Sequence, residues 1–188
     1  MNLRMRAIIG GVALTLSVAT GRAQTGAETF TATATVKTAG GAAATAPVTI
    51  IVSRKMAQGE ADKLTGAFTT GGIPALRKAL VGVPDTGSVQ LGTGTPTPTR
   101  LTVERVTDKG RLLTIVTDQP ILALGAGMPG AKPKEGYDVA VLDIEVDAKG
   151  SGSGSLSPAA KVTVKQGVFV VQDYAAEMVR LTDVKKVK

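Results

Sequence analysis

The sequence predicts a mostly β protein, an antiparallel sandwich or barrel of about eight to ten short strands with a small two-helix insertion near residues 57–81. Three observations lead to this fold class. Apolar and polar residues alternate in several short segments, Gly and Pro separate those segments, and the alternation changes to helical spacing in the insertion. No repeat of fixed period accompanies these patterns.

The first two predicted strands lie close together in the chain. Residues 28–37 read ETFTATATVK, in which threonine alternates with apolar residues, as expected of a half-buried strand. A Gly- and Ala-rich connection follows, and Pro47 opens a second predicted strand over residues 48–54.

The helical insertion follows the second strand. Apolar residues recur at spacings of three and four over residues 57–68, and the glycine pair at 71–72 interrupts this pattern. Pro74 suits the first turn of a second short helix that ends at Gly82. We expect the insertion to cover one end or edge of the sheet, and a mobile lid is the alternative.

The remaining chain is predicted to consist of strands and Gly/Pro-rich connections. Asp108-Lys109-Gly110 is the strongest hairpin signal. Residues 92–99, GTGTPTPT, are predicted to form an extended connector because proline lacks a backbone donor. The last predicted strand also fits a helix, although its alternation favours a strand. The predicted strands are 87–91, 101–106, 112–117, 137–147, 161–165, 168–173 and 176–184.

The N-terminus has the pattern of a secretory signal peptide. Two arginines precede an apolar stretch over residues 7–20, and Gly21 and Ala23 place small residues at positions −3 and −1 of a cleavage site. The stretch is shorter than the ~18–20 residues that span a bilayer, so an uncleaved anchor is the less favoured alternative. We expect residues 1–23 to be removed, and residues 24–188 to form one secreted or periplasmic domain without a transmembrane span.

The composition excludes many kinds of chemistry. The chain has no His, Cys or Trp, and its 22 Lys and Arg against 15 Asp and Glu give a net charge of +7. Without His or Cys no Ser-His-Asp triad, cysteine nucleophile, structural zinc site or iron–sulfur cluster can form. The sequence also lacks the S-x-x-K motif and the P-loop. We therefore expect no cofactor and identify no catalytic residue.

Two further classes of function depend on carboxylates or aromatic residues. A pair of carboxylates could still catalyse glycoside hydrolysis, so a glycosidase-like hydrolase remains an alternative. Aromatic residues make up 3% of the chain, and the basic residues form no visible groove with them. Because single-strand binders combine a basic groove with stacking aromatics, we expect no nucleic-acid partner.

A Gly/Pro-rich loop at residues 125–136 is a weak candidate for a binding surface. It carries Lys132, Lys134 and Glu135. Loops on a rigid β scaffold often carry function, although such loops also simply connect strands.

Three acids occupy alternate positions in VLDIEVDAKGSGSGS, residues 141–155: Asp143, Glu145 and Asp147. The EF-hand pattern fails here, because the turn glycine and the final glutamate are missing. The alternation instead predicts one apolar and one acidic face, with the lysines at 161 and 165 opposite the acids in a hairpin. A weak metal site formed by the three acids is the alternative.

These patterns predict an exported, non-catalytic binding, interaction or structural domain. Its partner would be an unknown protein or a component of the cell envelope. A carboxylate-based hydrolase and a weakly calcium-stabilised domain are the alternatives. The ligand and the oligomeric state stay open.

Overall fold

A computed structural model of the chain describes residues 26–37, 43–121, 135–165, 168–174 and 178–187. Nine strands and one kinked helix form within these residues. In chain order the elements are β1 (Glu28–Lys37), β2 (Ala43–Val52), α1 (Gln58–Val81), β3 (Gly87–Leu91), β4 (Thr97–Thr107), β5 (Gly110–Thr117), β6 (Val139–Val146), β7 (Ser151–Lys165), β8 (Val168–Tyr174) and β9 (Val179–Lys186).

Eight of the strands close an antiparallel β-barrel. They follow the order β6-β5-β4-β3-β2-β1-β9-β7, and β7 pairs back with β6. The extra strand β8 pairs with the second half of β7, whose first half pairs with β9. The mostly β fold class with a small helical insertion is therefore confirmed, and the fold is a barrel rather than a sandwich.

The barrel interior is filled by apolar side chains. One face of seven of the eight barrel strands, all except β4, contributes to a single buried cluster, which includes Phe30, Ile50, Leu142 and Leu181, each with essentially no exposed surface. An eight-stranded barrel is just wide enough for side chains to fill it. The interior is therefore a packed core.

Helix α1 lies on the outside of the barrel. Its buried residues Leu64, Leu76 and Leu80 share a second apolar cluster with outward-facing strand residues, among them Val139 and Val141. The insertion thus covers the outer face of the sheet, whereas the sequence predicted that it would cover an end or edge.

The predicted break within the helical insertion is confirmed. Gly72 has φ 64° and ψ −154°, a conformation that glycine adopts readily and that interrupts the helix ahead of Pro74. The helix begins after Ala57, whose N–H donates to the Glu60 side chain, and ends at Gly82. Both glycines therefore have the roles that the sequence predicted.

Several predicted strand boundaries are confirmed. The first strand and the short strand at 87–91 have the predicted bounds. The hairpin at Asp108-Lys109-Gly110 joins β4 to β5, with Thr107 opposite Gly110. The final segment forms the strand β9 where the structure describes it.

The prediction that residues 92–99 form only a connector is wrong. Strand β4 begins at Thr97, and Pro98 lies opposite Ser88 of β3. Pairing of β4 with β5 begins at Thr99, so Pro98 lies beyond the end of the β5 ladder. A proline is tolerated there because β4 has a paired neighbour on one side alone.

The predicted pairing of the acids with lysines is also wrong. Asp143 lies opposite Ser155, and Glu145 lies opposite Ser153. Lys161 instead faces Asp173, and Lys165 faces Val168. The hairpin turns immediately after β6, so the Gly/Ser run itself becomes the first part of β7.

A tight turn sets this register. The Asp147 carboxylate accepts hydrogen bonds from the N–H groups of Lys149 and Ser151, at 2.8 and 2.9 Å. The carbonyl of Asp147 also accepts one from the N–H of Gly150 at 3.0 Å. Such a compact Asx-type turn leaves no loop that could carry the chain as far as Lys161.

The glycines of the run allow close approach rather than flexibility. Gly152 and Gly154 lie opposite Val146 and Ile144, whose side chains fill the barrel. A Cβ at Gly152 would overlap the carbonyl oxygen of Glu145. The glycines therefore let the backbone of β7 lie close to that of β6, which is a common reason for glycine within a strand.

Candidate ligand-binding groove

The loop candidate falls largely outside the described residues. Lys132 and Lys134 both lie in the part of the chain that the structure does not describe. Glu135 is described and is exposed in a turn ahead of β6. The predicted binding role of the loop therefore stays a prediction.

The three acids at alternate positions have separate hydrogen-bonding partners. The Asp143 carboxylate accepts a hydrogen bond from the Thr114 hydroxyl at 2.6 Å, and Glu145 accepts one from Thr107 at 2.8 Å. Asp147 is bonded to its own turn. Within the described residues, no group of three or more acids is placed to hold a metal ion.

Two other carboxylates are brought together at one end of the barrel. Glu28 and Glu104 both bind Lys55 and Arg111, and Lys186 reaches Glu28 at 2.7 Å. We call these five residues the charged cluster. They border an open cleft of about 450 Å³.

The charged cluster keeps both of its carboxylates ionised. Burial by itself would raise the pKa of Glu28, but hydrogen bonds from Arg111, Lys186 and Lys55 lower it to about 2. Burial would also raise the pKa of Glu104, but hydrogen bonds from Lys55 and Arg111 lower it below its ordinary value. A general acid of a glycosidase needs a raised pKa, so this pair is poorly suited to that role.

A different concave surface lies on the outside of the barrel beside α1. It consists of two depressions, of about 150 and 420 Å³, that share Arg105, Leu112, Thr114 and Phe169. The larger one extends across β6 and β7 to β8. We call the two depressions together the outer groove.

The floor of the larger depression is polar. Thr114, Asp143 and Ser155 lie opposite one another on β5, β6 and β7, and Ser157 lies two residues further along β7. Among the described residues only Thr114 donates a hydrogen bond to Asp143, and it bonds to Oδ1. No residue in the described part of the chain donates a hydrogen bond to Oδ2, and this oxygen keeps some solvent-accessible surface.

Burial raises the pKa of Asp143. The hydrogen bond from Thr114 and the positive charge of Arg105 act in the opposite direction but do not outweigh the loss of solvation. A carboxyl with a perturbed pKa in a cleft is a common feature of functional sites.

The walls of the outer groove are apolar. Phe169 and Val171 of β8 lie on one side, and Met178 is 46% exposed beside them. The Phe169 ring packs edge-to-face on Phe68 of α1, with ring centroids 6.2 Å apart. This contact joins the wall formed by β8 to the helix, so the wall is supported by a distant part of the chain.

Comparison with known proteins provides no further assignment. No protein-family model matches the chain, and no curated protein or solved structure is significantly similar to it. The described part of the chain contains no helix of the length and hydropathy that crossing a membrane requires.

Proposed function

We propose that this chain is a non-catalytic binding domain whose ligand lies in the outer groove. One contrast carries the proposal. The barrel interior is filled by side chains such as Phe30 and Leu142, whereas the groove beside α1 is open, with apolar walls and a polar floor at Asp143. Small-molecule sites have this character, since apolar walls supply affinity and a few polar groups fix orientation.

The alternative functions receive less support from the geometry. A carboxylate hydrolase would use Glu28 and Glu104, but both have lowered pKa values and are held by cations. A calcium site would use Asp143, Glu145 and Asp147, each of which has its own hydrogen-bonding partner.

Export is part of the proposal, and its support is the pattern of the N-terminal sequence. The domain would then bind its ligand, or a partner in the cell envelope, outside the cytoplasm. N-terminal sequencing of the protein recovered from the periplasm or medium of an expressing bacterium tests this, with Gln24 expected as the first residue. Recovery of the chain from the cytoplasm with residues 1–23 intact would contradict export.

The groove is tested with n-hexanol, an uncharged small molecule with an apolar chain. We expect titration to shift the methyl NMR signals of Val141, Val171 and Met178, and to leave the barrel-core signals of Ile50 and Leu181 in place. The substitution Met178→Gln should weaken hexanol binding several-fold, because it removes apolar surface from the wall.

A matched control uses a second exposed apolar residue. Val106 is 83% exposed and lies outside the outer groove, so Val106→Gln should leave hexanol binding unchanged. Shifts confined to the barrel core, or no shift in the groove, would contradict the proposed site.

A further inference from the structure

We propose that the outer groove binds a primary ammonium group carried on an apolar chain. This assignment rests on the proposed binding function and names the class of ligand. The ligand is a small free alkylamine, because the larger depression has a volume of about 420 Å³, within the range of small-molecule sites.

The floor of the groove offers acceptors that suit an ammonium group. Asp143 has one carboxylate oxygen without a described donor, and no hydrogen bond among the described residues uses the hydroxyls of Ser155 or Ser157. An ammonium group has three N–H donors and no acceptor. Three oxygens that line one depression, one of them anionic, therefore match its hydrogen-bonding capacity and its charge.

The Thr114 hydroxyl adds to this selectivity. It donates its hydrogen to Asp143 Oδ1 at 2.6 Å, which fixes the orientation of the carboxylate. That hydroxyl is then unable to donate to a ligand as well. The floor consequently favours a ligand that donates hydrogen bonds over one that accepts them.

The walls suit the apolar part of the ligand. Leu112 and Val141 extend from the strands beside Asp143, and Phe169, Val171 and Met178 line the opposite side. A straight alkyl chain attached to the ammonium group would remove these surfaces from water.

The positive charge of Arg105 disfavours an ammonium ligand in the groove. It lines both depressions, and its charge acts on Asp143. Glu104 also lines the smaller depression, but it is paired with Lys55 and Arg111 at the end of the barrel. Since Arg105 repels a bound ammonium group, removing its charge should strengthen amine binding.

The test compares two probes of equal chain length, n-hexylammonium and n-hexanol, by calorimetry and methyl NMR. We expect Asp143→Asn to weaken hexylammonium binding at least tenfold and to change hexanol binding less than twofold. Asp108→Asn, in the β4–β5 turn outside the groove, is the matched control and should change neither. Arg105→Gln should strengthen hexylammonium binding a few-fold.

Different results separate the two proposals. If both probes bind in the groove with equal affinity and Asp143→Asn has no effect, the amine assignment is wrong while the binding function stands. If neither probe shifts a groove signal, both are wrong. Nα-acetyl-lysine methylamide, which presents a lysine side chain with its ammonium group free, should bind more weakly than hexylammonium. Equal or tighter binding would overturn the choice of a free alkylamine over a lysine side chain.

Discussion

Arg111 and Glu28 form a two-pronged ion pair between strands that are far apart in the sequence. The two guanidinium nitrogens donate to the two carboxylate oxygens at 2.8 and 2.9 Å, across a separation of 83 positions. The Arg111 guanidinium also lies 5.8 Å from the centre of the Phe30 ring, which is fully buried in the barrel. The pair therefore closes one end of the packed core.

Glu28→Gln should destabilise the fold. The Glu28 side chain is 10% exposed. Removing its negative charge takes away an ion-pair partner from Arg111, Lys55 and Lys186. Loss of one partner from a buried pair costs about 3–5 kcal/mol, and we expect about 2–4 kcal/mol because the cations are partly exposed. Urea denaturation at neutral pH measures this loss.

An exposed glutamate provides the control for this substitution. Glu135 lies in a turn outside the charged cluster, so Glu135→Gln should change the free energy of unfolding by about 0.5 kcal/mol or less. Equal effects of the two substitutions would show that the charged cluster does not stabilise the barrel.

Acid should weaken the protein through Glu28. Its pKa in the folded protein is about 2, below the ordinary value of 4.5. A lowered carboxyl pKa contributes stability above the unfolded value, and this contribution is lost as the pH falls from about 4.5 to about 2. Urea denaturation at several pH values should therefore show a smaller loss in Glu28→Gln than in the wild type. Parallel pH profiles for the two proteins would contradict this role of Glu28.

Asp143→Asn should have the opposite effect on stability. Burial raises the pKa of Asp143, so its ionised form is unfavourable in the folded state above that raised value. The amide oxygen can still accept the Thr114 hydrogen bond. We expect the variant to melt at a higher temperature than the wild type at pH 7, with the difference disappearing at acid pH where the carboxyl is protonated. A lower melting temperature at pH 7 would be inconsistent with a desolvated carboxylate.

Gly152→Ala should destabilise the barrel closure. A Cβ at this position overlaps the backbone of Glu145, so β6 and β7 would have to move apart. Overpacking of this kind typically costs about 1–3 kcal/mol. Gly59→Ala is the control, because its Cβ meets no atom within 4 Å and lies in the first turn of α1. Thermal denaturation should show a loss for the first variant and a neutral or stabilising effect for the second; equal stabilities would contradict the role of Gly152.

The alternation of side chains was sufficient to predict many of the strands. From Phe30 to Val36 every second residue is apolar, and burial follows the same alternation. The helical break at Gly72 was predictable as well, because Gly71, Gly72 and Pro74 all disfavour a continuous helix. These features depend on neighbouring residues, so they can be read locally.

The strand register and the groove depend on contacts that the sequence does not display. A Gly/Ser run is typical of a flexible connection, yet the Asp147 turn and the close approach at Gly152 make this one a paired strand. The groove combines Arg105, Asp143 and Phe169 from separate strands. One local signal indicates the groove: the outward face of β6 changes from apolar to acidic at Asp143. The apolar residues before it pack with α1, whereas Asp143 lines the groove.

Intermolecular NOEs between n-hexylammonium and the methyl-labelled protein test the location of the ligand site most directly. We predict NOEs from the methylene chain to Val141, Val171 and Met178, which line the outer groove. NOEs to Ile50 or Leu181 in the barrel interior, or none to the groove methyl groups at saturating amine, would contradict the proposed site.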